Sequence, residues 1–217
     1  MSALVGAIAY LRFPNFLKKL LFSWFINTFE VNEDESEHPP LSYPSLGDFF
    51  TRNLKPSCRP IEDGALSPVD GRLDQFGRVE NGTMLQVKGR SYQLSNLLRC
   101  DELTNYFQNG YYLTFYLAPG DYHHIHTPVS GVIKRALHIE GSLWPVDDWG
   151  LNRIDHLFAR NERVVNVIET SQGLVSVIMV GATNVGSIVT EYAPFKANTN
   201  LGFCSKRNTV HRLSRRS

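Results

Sequence analysis

Three histidines fall within four positions, His123, His124 and His126 in PGDYHHIHTP, and they are the densest group of chemically useful side chains in the sequence. An imidazole can serve near neutral pH as general base, proton donor or metal ligand. In an extended segment alternate side chains share a face, so His124 and His126 would point together and His123 away from them. The neighbouring Pro119, Gly120 and Pro128 equally allow a bent loop in which His123 and His126 converge. Zinc would need a third ligand and an orienting shell, and no H-E-x-x-H or Cys/His spacing supplies them, so no metal is expected. The plainest reading of the residues alone is that these rings satisfy loop hydrogen bonds.

Asp70 lies in SPVDGR, between a restraining Pro68 and a permissive Gly71. An aspartate there either caps its own turn or orients a histidine for base work. Gly181 and Gly186 interrupt a strand-like run in VGATNVGSI, which marks a bulge or a close backbone approach such as that to a ligand. Thr183 and Ser187 are nucleophiles on paper only, because no G-x-S-x-G surrounds them. Cys58, Cys100 and Cys204 are odd in number and widely spaced, so they are expected as free thiols.

These groups need a scaffold, and the sequence indicates one in parts. After Pro14, the residues Leu17, Leu20, Leu21, Trp24 and Phe25 recur at helical spacing with Lys18 and Lys19 beside them. That predicts an amphipathic helix, either lying in a membrane interface or packed on the protein's own core. Neither apolar stretch before residue 30 approaches the roughly 20 residues of a membrane span. VNEDESEHPPLSY reads as an exposed connection, and SLGDFFTRNL as helical with Leu46, Phe49, Phe50 and Leu54 on one side. Beyond Pro56 come short strand-like runs, TMLQVKG, YYLTFYLAPGDY, GVIKRALHIEG, RVVNVIET and LVSVIMVGATNVGSIV, with helices expected only at Leu94–Leu103 and Trp149–Ala159. The fold class expected is α+β: a β-rich domain behind N-terminal amphipathic helices. With 22 Lys+Arg against 21 Asp+Glu, a net +1 gives no overall field for nucleic acid. From Tyr192 onward no acidic residue occurs, and the end of the chain is a basic tail.

Six blocks in order, FFTRNLKPSCRPI, LSPVDGRL, QVKGRSY, YLAPGDYHHIHTPVSG, LFARNERV and VGATNVGSI, resemble the phosphatidylserine decarboxylase family from about Phe49 to Ile188. The resemblance implies a proenzyme that cleaves itself at the serine of an L-G-S-[ST] motif, leaving a β chain and an α chain headed by a pyruvoyl group. That ketone captures the amine of phosphatidylserine and accepts the electrons left when carbon dioxide departs. His126 matches the base that activates the serine, Asp70 its carboxylate partner, and His123 the histidine of the decarboxylation step. His124 matches a variable position and receives no role. The implied partners are phosphatidylserine, a membrane surface and the pyruvoyl-bearing α chain, with a homodimer left open. The implied location is peripheral, on a bacterial or mitochondrial inner membrane.

No L-G-S-[ST] occurs in the 217 residues; the nearest string, Leu201-Gly202-Phe203-Cys204-Ser205, has Phe at the nucleophile's place. The organisation expected is a membrane-associating segment over 1–30, a β-chain-like domain over 31–192, and a basic tail over 193–217 of truncated, respliced or frameshifted origin. Such a chain would be inactive alone. The competing expectations are a catalytically silent lipid-binding protein of the same fold and a metal-dependent hydrolase built on the HHIH cluster.

Overall fold

The computed structural model describes residues 8–85, 91–183, 185, 186 and 188–192, with the backbone of 196–197 and 208–212. Ser187 and residues 201–205 lie outside the described residues. The chain divides into two compact units, one formed by residues up to Asp74 with Phe115–Val129, the other by Gln75–Thr114 with residues from Ser130 onward.

In the first unit, helix α1 (Asn15–Phe29) starts directly after Pro14 and ends at Glu30, whose left-handed backbone lets its N–H reach the Ile26 carbonyl. Phe22 and Phe25 turn inward and form an aromatic core with Val31 and Phe49. The Phe22 and Phe49 rings stack at 5.3 Å between centroids. Lys18 lies on the same inward face, its Nζ 2.7 Å from the Leu41 carbonyl and above the Phe22 ring. Phe16, Leu20 and Trp24 are 68%, 70% and 54% exposed, so the helix carries apolar side chains on two opposite faces. The single face expected from Leu17, Leu20, Leu21, Trp24 and Phe25 is thus divided: only Phe25 of that set is fully buried.

The acidic, Pro-rich segment is less free than its composition suggests. Val31 and Ser36 are buried, and two 3₁₀ turns, Glu33–Glu35 and Pro40–Ser42, shape the rest. Ser45 then caps helix α2 (Leu46–Phe50) by accepting from the Asp48 N–H, a standard device for satisfying a first-turn donor. This helix is shorter than expected, because Leu54 leaves it to bridge to Ser36.

Strands β1 (Arg72–Arg78) and β4 (Tyr111–Tyr116) pair with each other, and each begins in one unit and ends in the other. The second unit also contains the hairpin β2 (Thr83–Leu85) and β3 (Ser91–Gln93), followed by helices α3 (Leu94–Leu98) and α4 (Asp101–Phe107). Its main sheet is antiparallel. Strands β5 (Val132–Ile139), β6 (Arg163–Thr170), β7 (Gly173–Val180) and β8 (Asn208–Arg212) run in the order β8-β5-β6-β7. Strand β6 is buried from Arg163 through Ile168 on both faces, with Val164, Val165, Val167 and Ile168 supplying apolar contacts and Arg163 and Asn166 buried among them. Leu137, Ile139, Val165 and Val167 pack there with Leu94, Leu97, Leu98 and Leu103 from the two helices. The α+β class expected from sequence is what forms.

Arg163 explains why LFARNERV holds together. Its side chain is fully buried, and its guanidinium donates to the carbonyls of Leu97, Ala159, Asn161 and Asn96 at 2.6–2.8 Å. Burial pushes its pKa down to about 10, still well above neutrality. The neighbouring Asn161 bonds Trp144 on both sides of its amide and the Gly181 carbonyl.

Candidate active site

The first unit carries all three candidate residues. The HHIH segment forms no strand, and its rings part into two groups. Tyr122, His124 and His126 stack, with ring centroids 4.8 Å apart for Tyr122–His124 and 5.6 Å for Tyr122–His126. His123 points elsewhere: its ring packs 3.8 Å from that of Phe50, and its Nδ1 lies 2.9 Å from the Asp121 carbonyl oxygen. Burial lowers the His123 pKa below the ordinary imidazole value, against the opposing pull of the Asp121 carbonyl. His124, to which sequence assigned no role, reaches with Nε2 to the Thr51 carbonyl at 3.0 Å.

Two backbone bonds lace this segment to SPVDGR: the His126 N–H donates to the Pro68 carbonyl at 2.8 Å, and the Leu66 N–H to that of Pro128 at 2.9 Å. Asp70 and His126 therefore sit on adjoining stretches of chain. Their side chains bond different partners, however. Arg59 grips the Asp70 carboxylate from Nε at 2.9 and 2.8 Å and from Nη2 at 2.5 Å. The same guanidinium donates to Glu35 at 2.8 Å and to the Cys58 carbonyl at 2.7 Å, and its pKa is raised by the bonds to Asp70 and then Glu35. His126 meets the Tyr122 hydroxyl, with Nε2 to oxygen at 3.2 Å. The direct carboxylate-to-imidazole bond expected from sequence is not made here. The cause is a guanidinium, which offers a carboxylate two charge-assisted N–H donors where a neutral imidazole offers one.

Arg52 is a further resident of this site. It is 3% exposed, donates from Nη2 to the Gly120 carbonyl at 2.9 Å, and lies 5.2 Å above the Phe49 ring. Its Nε and Nη1 are buried without a hydrogen-bond partner, and burial lowers its pKa. Thr51 and Arg52 thus hold the histidine segment at two points, through His124 and Gly120. Gly120 is required as glycine, since a Cβ there would sit 2.1 Å from the Phe29 carbonyl oxygen. Tyr122 was missed from the sequence, although its even spacing to His124 and His126 is a signal that could have found it. Arg59 and Arg52 gave no signal, because only folding brings them to Asp70 and Gly120.

The remaining candidates take structural parts. Thr183 donates to the Leu143 carbonyl at 2.8 Å. Gly181 makes its close approach to the protein itself: its N–H donates to Glu162 at 2.8 Å, and a Cβ would meet Leu143 at 2.9 Å. Cys58 and Cys100 are free. Among the described residues no group of three or more His, Cys, Asp or Glu could hold a metal ion.

Comparison with known proteins covers the same stretches. The family model for phosphatidylserine decarboxylase matches residues 46–212, a span that includes every block around the site and continues past Tyr192 into the basic tail. A phosphatidylserine decarboxylase proenzyme of Alkalilimnicola ehrlichii is 43% identical over 181 residues, covering 81% of this chain and 63% of the relative. Proenzymes of Methylobacillus flagellatus and Bordetella avium are each 41% identical, over 88% and 87% of this chain and 69% and 66% of their own lengths. The chain thus spans about two thirds of the length of these curated relatives. With the match extending over most of its length, and with the PGDYHHIHTP and SPVDGR segments laced together inside it, the chain belongs to the phosphatidylserine decarboxylase family.

Proposed function

We propose that this chain supplies the general base, its carboxylate partner and the proton-transfer histidine of a phosphatidylserine decarboxylase, which converts phosphatidylserine to phosphatidylethanolamine and carbon dioxide. The observation that carries this reading is the gathering of Asp70, His126 and His123 in one unit by the bonds from His126 to Pro68 and from Leu66 to Pro128. A serine hydroxyl is a weak nucleophile and needs a base within reach. His126 is exposed, so an incoming hydroxyl can reach its ring. Asp70, fixed by Arg59, provides the negative charge that favours the imidazolium once the proton has arrived. His123 has the opposite environment. Its burial makes the protonated ring a stronger acid than an ordinary histidine, which suits delivery of a proton to a carbanion-like centre.

A pyruvoyl group, when present, supplies an electrophilic carbonyl that draws electrons from the substrate carbon. The residues here fit such a ligand: Arg52 keeps two buried nitrogens without an acceptor, and His123 spends only Nδ1 on the backbone. The L-G-S-[ST] serine is not among the 217 residues, so this reading places it on an α chain outside them. The lipid is met at a membrane surface through the outward face of α1, where Phe16, Leu20 and Trp24 stand exposed beside Lys19. No helix among the described residues is long and apolar enough to cross a membrane, which fits peripheral attachment to an inner membrane.

The test is release of labelled carbon dioxide from carboxyl-labelled phosphatidylserine in vesicles by the product of the complete coding region. Release that disappears in His123→Gln supports the reading, and no release from the wild type sinks it. The outward face of α1 also suits a second reading, a silent lipid-binding protein. That protein would bind the same vesicles and release nothing.

A further inference from the structure

We propose that Tyr122 is a positioning residue for His126: its hydroxyl holds the Nε2 lone pair and fixes the neutral ring in the tautomer that carries its proton on Nδ1. The consequence for catalysis rests on the reading of His126 as the general base. Tyr122 sits between two imidazoles, stacked on both, and the far ring is anchored by its own bond from His124 Nε2 to the Thr51 carbonyl. The stack sets the Tyr122 ring in place, and from there the hydroxyl meets His126 Nε2 at 3.2 Å. Burial first and the charge of Asp70 second raise the pKa of this phenol, with Arg59 opposing, so the hydroxyl stays protonated and has one hydrogen to give. A bare imidazole nitrogen is a better acceptor than a phenol oxygen, and the bond therefore runs from Tyr122 O–H to His126 Nε2.

A base ready to take a proton from a serine hydroxyl needs its lone pair aimed at that hydroxyl and its own proton on the other nitrogen. Tyr122 imposes this arrangement before any serine arrives, since its O–H occupies the place that the nucleophile's O–H would take. The incoming hydroxyl exchanges one donor for another and leaves the tautomer unchanged. The rings of Tyr122, His124 and His126 share one stack, and His123, packed on Phe50, is left out of it.

Histidine-¹⁵N NMR of the 217-residue chain tests the proposal, at a pH well above the ordinary imidazole value of about 6.5. His126→Gln assigns the resonances. In the wild type, His126 should show a pyridine-like Nε2 and a pyrrole-like Nδ1. Tyr122→Phe keeps the stacked ring and removes the hydroxyl, and should move the His126 proton to Nε2 while leaving His124 unchanged. A wild-type ring protonated on Nε2, or one tautomer in both proteins, would overturn the proposal. The wild-type spectrum alone reads the tautomer, so a poorly folding variant does not shelter the idea. The readout is also independent of turnover: if the tautomer moves as expected while a His126→Gln form of the complete protein still cleaves, the base reading fails and the hold of Tyr122 on the ring stands.

Discussion

Trp24→Ser should separate the two faces of α1. Trp24 is 54% exposed, and a tryptophan presents up to about 250 Å², so roughly 130 Å² of largely apolar surface is open to a bilayer. At about 25 cal/mol per Å² that surface is worth at most ~3 kcal/mol of transfer free energy. Interfacial helices sink only part of their apolar face, so about 1.5–3 kcal/mol is the expected loss, or roughly a 10- to 150-fold weaker vesicle partition. The assay is co-sedimentation with vesicles containing phosphatidylserine, run beside a thermal melt. Trp24→Ser should lower the melt only slightly, because its side chain lies outside the aromatic core of Phe22, Phe25, Val31 and Phe49 and meets Phe29 edge-on. Phe22→Ala, by contrast, opens that core and should cost ~3–5 kcal/mol of stability. Unaltered vesicle binding by Trp24→Ser would refute the assignment of this face. So would a large fall in its melting temperature, since that would mean the face is buried.

Arg163→Met should destabilise the second unit by about 3–5 kcal/mol, read from urea midpoints, because four carbonyls lose their buried charged donor. Gly120→Ala should cost ~1–3 kcal/mol by the same measurement, since the new Cβ meets a backbone oxygen at 2.1 Å that cannot yield without moving the histidine segment. His123 binds protons less readily folded than unfolded, so its contribution is fully present above the unfolded value of about pH 6.5 and is lost as pH falls through the lower folded value. Urea melts at pH 7.5 and 5.5 should show an acid-side loss that is smaller in His123→Gln.

The parts of this molecule that were legible in its sequence are those set by local pattern. Strands β5, β6 and β7 fall within apolar runs bounded by turns, and α1 begins where Pro14 permits. Strand β1 was missed because RLDQFGR holds only two large apolar residues, Leu73 and Phe76, and both are exposed; its pairing with β4 defines it. The faces of α1 were misjudged for a related reason: apolar residues lie nearly all around it, and Phe49 from another element selects Phe22 and Phe25 as the buried ones. In the site, local spacing left open whether His126 shares a face with His124 or with His123, and the stack on Tyr122 joins it to His124. The carboxylate's partner could not be read that way, since Arg59 reaches Asp70 and Glu35 through contacts eleven and twenty-four residues apart in sequence.

The central claim is that His126 is the base for chain cleavage in this family member, and intact-mass measurement of the product of the complete coding region tests it most directly. The wild type should give two chains, one of them blocked at its N-terminus by a pyruvoyl group, and His126→Gln should give one uncleaved chain. Equal cleavage of both proteins, or a single uncleaved mass from the wild type, would contradict it.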